Sequence, residues 1–117
     1  MDYHKELERL VEIISSENAS DLHLAEGRNP IIRVGGFLVP LLKRAAFTRE
    51  DMDGFIDIFL SKERKARFIE THEVDFSFGY EAIRFRGSGY VQRGLLSFAL
   101  RVIPREIRTL AELRLPP

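Results

Sequence analysis

Apolar residues open the chain with a helical beat. Tyr3, Leu7, Leu10, Val11 and Ile14 fall at i, i+4, i+7, i+8 and i+11, one stripe of a 3.6-residue period. Ser15, Ser16 and Asn18 end that helix. Asp21-Leu22-His23-Leu24 then alternates polar and apolar, which predicts a half-buried strand. Gly27, Asn29 and Pro30 make a turn. Ile31 to Val34 and Phe37 to Leu42 read as two more strands. Gly35-Gly36 lies between them, and a Gly pair readily supplies the positive φ angles of a two-residue hairpin. Thr48 has the chemistry of a helix N-cap, with Glu50 and Asp51 in the first turn. Met52, Phe55, Ile56, Phe59 and Leu60 repeat the helical stripe. Ser61 starts a short further helix through about Glu70, with Phe68 and Ile69 as its apolar end.

From Glu73 the period becomes two. Val74, Phe76, Phe78 and Tyr80 alternate with Asp75, Ser77 and Gly79. Ile83 and Phe85 alternate with Arg84 and Arg86, and Leu96, Phe98, Leu100 and Val102 close the pattern before Pro104. These are three strands with one apolar face each. The order α-β-β-β-α-α-β-β-β, joined by short turns, predicts an α+β domain on an antiparallel sheet of about six strands. Residues 1–104 form that domain, and residues 105–117 read as a linker or docking arm.

Composition narrows the class. The chain has 117 residues, 44% hydrophobic and 31% charged, which suits one soluble domain with one core. Cysteine is absent, so disulfide scaffolds and thiolate metal sites are excluded. No apolar run approaches the ~20 residues of a membrane helix. Net charge is zero, but it is unevenly spread. Residues 1–81 carry 11 basic and 16 acidic side chains, and residues 82–117 carry 7 and 2. All seven late bases are arginine: Arg84, Arg86, Arg93, Arg101, Arg105, Arg108 and Arg114. Arginine suits forked pairing with phosphate or carboxylate.

Spacing places two of these together. If the last hairpin turns between Arg93 and Gly94, opposed residues sum to 187 and Arg86 faces Arg101. Arg84 then shares their sheet face, opposite Ile103. Directly opposed like charges need neutralisation. A carboxylate from Asp75 or Glu73 would supply it, and so would a bound phosphate. A bulge at Gly87 or Gly89 would shift the register and separate the pair.

No catalytic set is complete. There is no G-x-x-x-x-G-K-[S/T] phosphate loop, and Gly87-Ser88-Gly89 lacks the lysine and the helix of one. His4, His23 and His72 have no ligand spacing, so no metal site is expected. Ser88 and Ser97 lie in no nucleophile motif. With zero net charge and no aromatic-basic platform beyond the last hairpin, nucleic acid is not the expected partner.

Five blocks occur in order: Ala19-Ser20-Asp21-Leu22-His23-Leu24, Ile32-Arg33-Val34-Gly35-Gly36, Glu73-Val74-Asp75-Phe76-Ser77-Phe78, Arg84-Phe85-Arg86, and Leu100-Arg101-Val102-Ile103-Pro104. Together they resemble the N-terminal domain of the type IV pilus retraction ATPases, the twitching motility members of the secretion ATPase superfamily. The resemblance covers nearly the whole chain. It implies a PAS-like N-terminal domain, followed by a RecA-like ATPase domain that this chain lacks. It implies a hexameric ring of subunits, ATP and Mg2+ as cofactors of the full-length protein with none held by this piece alone, and inner-membrane pilus machinery as partner. It implies a cytoplasmic protein peripheral to the inner membrane. By motif, it assigns nucleotide-phosphate contacts to Arg86 and Arg101, with Arg84 secondary and no catalytic residue in the chain. Leu110-Ala111-Glu112-Leu113 resembles the segment leading into the motor domain. The motif block starts within ~20 residues of Met1, which favours retraction over assembly motors. Departures are Gly35 for the usual Asp and Gly87-Ser88 for the usual Val-Asn. A reading of a different class is a stand-alone PAS-like regulatory module that holds an anionic ligand or a partner protein.

Overall fold

The computed structural model describes residues 2–104. The expected linker, 105–117, lies outside the described residues. Helix α1 (Tyr3–Glu17) leads into strands β1 (Asp21–Ala25), β2 (Ile31–Val34) and β3 (Phe37–Pro40). Helices α2 (Arg49–Phe59) and α3 (Lys62–Thr71) follow, then β4 (Glu73–Tyr80), β5 (Ile83–Gln92) and β6 (Leu95–Val102). The fold is α+β, and its six strands form one antiparallel sheet in the order β3-β2-β1-β6-β5-β4.

The helix limits follow from local chemistry. Asp2 caps α1 by accepting from the Lys5 backbone N–H, and Asn18 ends it in the left-handed region at φ 55°. Thr48 and Asp51 form a reciprocal capping box on α2. Ser61 caps α3 by accepting from the Arg64 N–H. The α1 and α2 stripes are buried as their periodicity requires. In α3 only Phe68 is buried. Ile69, expected beside it in the core, is 66% exposed, because one short helix turns a single narrow face to the sheet.

The sheet has two unlike faces. Leu22, Leu24, Ile32, Phe76, Phe85, Leu96, Phe98 and Leu100 alternate onto one face, where they pack with Leu7, Leu10, Met52, Phe55, Phe59 and Phe68 from the helices. Gly87 and Gly89 stand on this apolar face. A Cβ at Gly87 would come within 2.4 Å of the Phe76 ring, and one at Gly89 within 2.6 Å of Phe98. Neither glycine makes a bulge: β5 pairs without interruption with β4 and β6. The two glycines give up side chains so that two rings can lie against the strand.

Of the three two-residue hairpins among the described residues, the β4–β5 turn has one left-handed residue, Glu81 at φ 54°, and the other two use a left-handed pair. Gly35 and Gly36 have φ 56° and 86°, and Arg93 and Gly94 have φ 55° and 79°. Two positive φ angles in sequence match the twist of the flanking strands. The turn at Arg93-Gly94 fixes the register of everything behind it.

A candidate anion site on the open face of the sheet

The face away from the helical core carries the polar members of β1, β2, β4, β5 and β6. Along it the cross-strand partners form a row, Ser77–Arg86–Arg101–Asp21–Arg33–Leu38, running from β4 to β3. Arg86 and Arg101 are direct partners, as the 187 rule requires. Direct partners in an antiparallel pair have Cα atoms about 4.5–5.5 Å apart. Arg84 is on the same face, opposite Gly79 on β4, and its carbonyl accepts from the Ile103 N–H at 2.8 Å. All three arginine side chains are solvent-accessible.

The neutralising carboxylate is not the one expected. Asp75 accepts from the Ser88 hydroxyl at 3.1 Å, one row away, and neither it nor Glu73 pairs with an arginine among the described residues. Asp21 takes that place. Its Oδ1 is 3.5 Å from Arg101 Nε and its Oδ2 is 3.4 Å from Arg33 Nε. The Asp21 side chain is only 8% exposed, while that of Arg101 is 76% exposed. Arg33 Nη1 also donates to the Gly36 carbonyl at 3.1 Å. Arg86 has no carboxylate partner within 4.0 Å among the described residues. The result is two exposed arginines at directly paired strand positions, with one buried carboxylate on the β1 side that Arg101 shares with Arg33.

Hairpin spacing brought out Arg86 and Arg101 but missed Asp21 and Arg33. Strands β1 and β6 are far apart in sequence, and no turn fixes their mutual register. The clue available was Asp21 itself, an acid at the start of an apolar strand, which needs a cation to be buried.

The remaining polar features carry less chemistry. His23 lies half-buried on the open face between Ala99 and Ile31. Among the described residues no three His, Asp or Glu side chains are grouped to hold a metal ion. An open groove of about 860 Å³ runs beside α3 and the β4–β5 pair, lined by residues including Arg64, Arg67, His72, Glu73 and Tyr90. Neither Arg86 nor Arg101 lines it. No described helix is long and apolar enough to cross a membrane.

Known proteins resemble the chain in sequence and fold. No family model matches the chain. The chain is 31% identical to the type IV pilus ATPase PilU of Pseudomonas aeruginosa, over 95% of its own length and 29% of that protein. It is 34% identical to the pilus retraction ATPase PilT of the same organism, over 92% of its length and 31% of PilT. A crystal structure of the pilus retraction motor PilT with bound ADP superposes with a TM-score of 0.76 at 33% identity, covering 92% of this chain and 32% of that one. The chain therefore spans about three tenths of the length of the curated relatives it matches. By sequence and by fold, it is an N-terminal domain of the PilT-like ATPases.

Proposed function

We propose that this domain serves a hexameric, ATP-hydrolysing motor that retracts type IV pili, and that Arg86 and Arg101 reach the phosphates of its nucleotide. The observation behind the site assignment is the direct pairing of the two arginines across β5 and β6. Two exposed arginines at directly opposed positions on neighbouring strands repel without an anion and can converge on a polyanion. Similarity to pilus ATPases supplies the nucleotide as that polyanion.

Within such a motor the domain would contribute charge rather than a nucleophile or base. Phosphoryl transfer is catalysed chiefly by positioning and by neutralising charge on the transferring group. Arg86 and Arg101 would bind phosphate oxygens as the domain closes on a RecA-like domain, and would let go as it opens. Residues 105–117 would be the connection between the two. Arg84, on the same face, would add a secondary contact. ATP would come with Mg2+, for which the described residues provide no ligand set, so the ion would be held outside this domain. The motor would work in the cytoplasm against inner-membrane pilus machinery.

The test is turnover in the parent ATPase. Arg86→Ala and Arg101→Ala should each abolish hydrolysis while the domain keeps its fold by circular dichroism. Normal turnover in both variants would sink the assignment.

A further inference from the structure

Among the described residues two buried acids, Glu6 and Asp21, pair with arginine, and the pairings are built differently. Glu6 grips Arg44 in a fork: Arg44 Nε and Nη2 donate to its two oxygens, each at 3.0 Å, while the exposed Arg9 stays looser at 3.6 Å. That is the geometry of a permanent tie. Asp21 instead divides its oxygens between two arginines, at 3.5 Å from Arg101 and 3.4 Å from Arg33, and forms no close hydrogen bond with either. A carboxylate this buried cannot be left without a cation. If Arg101 leaves, however, Arg33 remains, itself anchored on the Gly36 carbonyl. The second arginine makes release of the first inexpensive.

We propose that Asp21 is a releasable counter-charge: it occupies Arg101 while no anion is present, competes with the incoming phosphate, and thereby sets how readily the Arg86–Arg101 pair binds. This rests on the phosphate reading of that pair. Asp21 touches no ligand. It is a positioning residue that acts through Arg101. A full negative charge beside the guanidinium opposes every phosphate oxygen that approaches it, so the site engages only a ligand of high negative charge density. Arg33 is the holder that keeps Asp21 compensated after the exchange.

The probe is sodium tripolyphosphate, titrated into the 117-residue chain at low ionic strength and followed by backbone amide NMR. Asp21→Asn keeps the shape and removes the charge. It should bind about three- to tenfold more tightly than the unmodified chain, the effect of deleting one like charge near the anion. The gain should vanish in the Asp21→Asn/Arg101→Ala double variant when compared with Arg101→Ala alone. Equal or weaker binding by Asp21→Asn overturns the proposal, as does a gain that survives loss of Arg101. A merely structural role would lower the denaturation midpoint and leave affinity unimproved. Should Asp21→Asn fail to fold, the Asp21 side-chain carbon resonance in the unmodified chain gives the answer: it should move as tripolyphosphate saturates, and a fixed resonance overturns the exchange. Weakened binding by Arg86→Ala and Arg101→Ala without a gain in Asp21→Asn defeats this inference alone. Unchanged binding in both arginine variants defeats the phosphate reading beneath it, and no binding in any form overturns the Asp21 inference.

Discussion

The ring of Phe76 fills the space that a side chain at Gly87 would need. The two residues are partners across β4 and β5 on the apolar face, and an added Cβ would meet the ring Cζ at 2.4 Å. Phe76 is itself wedged, stacked on Phe59 with centroids 4.9 Å apart and edge-on to Phe98 at 6.0 Å. It cannot withdraw without disturbing both. Gly87→Ala should therefore destabilise the domain by about 1–3 kcal/mol, the range for overpacking. Urea denaturation of the two proteins checks it. An unchanged midpoint would mean the ring has room to move.

Gly54 should behave conditionally. It sits inside α2, where glycine costs about 1 kcal/mol relative to alanine. A Cβ there would come within 2.2–2.7 Å of three ring atoms of Tyr3. Tyr3 is held edge-on to Phe55 at 5.4 Å and donates to Asp51 at 3.1 Å. Gly54→Ala should destabilise the unmodified chain. In a Tyr3→Ala background the same change should stabilise, by up to about 1 kcal/mol. A double-mutant cycle by thermal melting reads the reversal of sign, and the same sign in both backgrounds would refute it.

Glu6 and Arg44 form a tie whose loss should be asymmetric. Glu6 is 7% exposed, and hydrogen bonding to its carboxylate raises the Arg44 pKa. Arg44→Ala leaves the buried acid with only the exposed Arg9, 3.6 Å away, and should cost about 1–3 kcal/mol. Replacing both, as Glu6→Gln with Arg44→Met, should cost less than Arg44→Ala alone, because no charge is then left uncompensated. Denaturant midpoints of the three forms decide it.

Tyr80 should give the domain an alkaline dependence. Its hydroxyl donates to the Glu8 carboxylate, which together with desolvation pushes its pKa up to about 12 from 10.0. The folded form thus holds its proton more firmly than the unfolded form. The associated stability is fully present below pH 10 and is lost as pH rises toward 12. Between those values the urea midpoint of the unmodified chain should fall more steeply than that of Tyr80→Phe. Parallel slopes would show that the Glu8 contact does not hold in solution.

Local signals made most of this fold legible. The stripe from Tyr3 to Ile14, the Thr48 cap and the period of two after Glu73 each depend on neighbours in sequence, and each became the element it indicated. The Arg86–Arg101 pair was readable because a two-residue turn separates their strands, so spacing alone fixes their register. Asp21 was not, since its partner Arg101 lies 80 positions away and only the finished sheet sets their alignment. Ile69 misled because its apolar character says nothing about which side of a ten-residue helix meets the sheet. Gly87 suggested a bulge, and the ring of Phe76 supplies the other reason for a glycine in a strand.

The first and last strands of the sheet, β1 and β6, are neighbours at its centre. During synthesis Asp21 leaves the ribosome 80 residues ahead of Arg101, an interval of about 4–16 s at ordinary translation rates. Throughout it β2 can pair with β1 and β3 with β2, but β1 has no second neighbour, and its other edge waits for the last strand. Insertion of β6 between two hairpins already made is then the closing act of folding. A nascent chain stalled before residue 95 would offer β1 as an open edge to any passing strand.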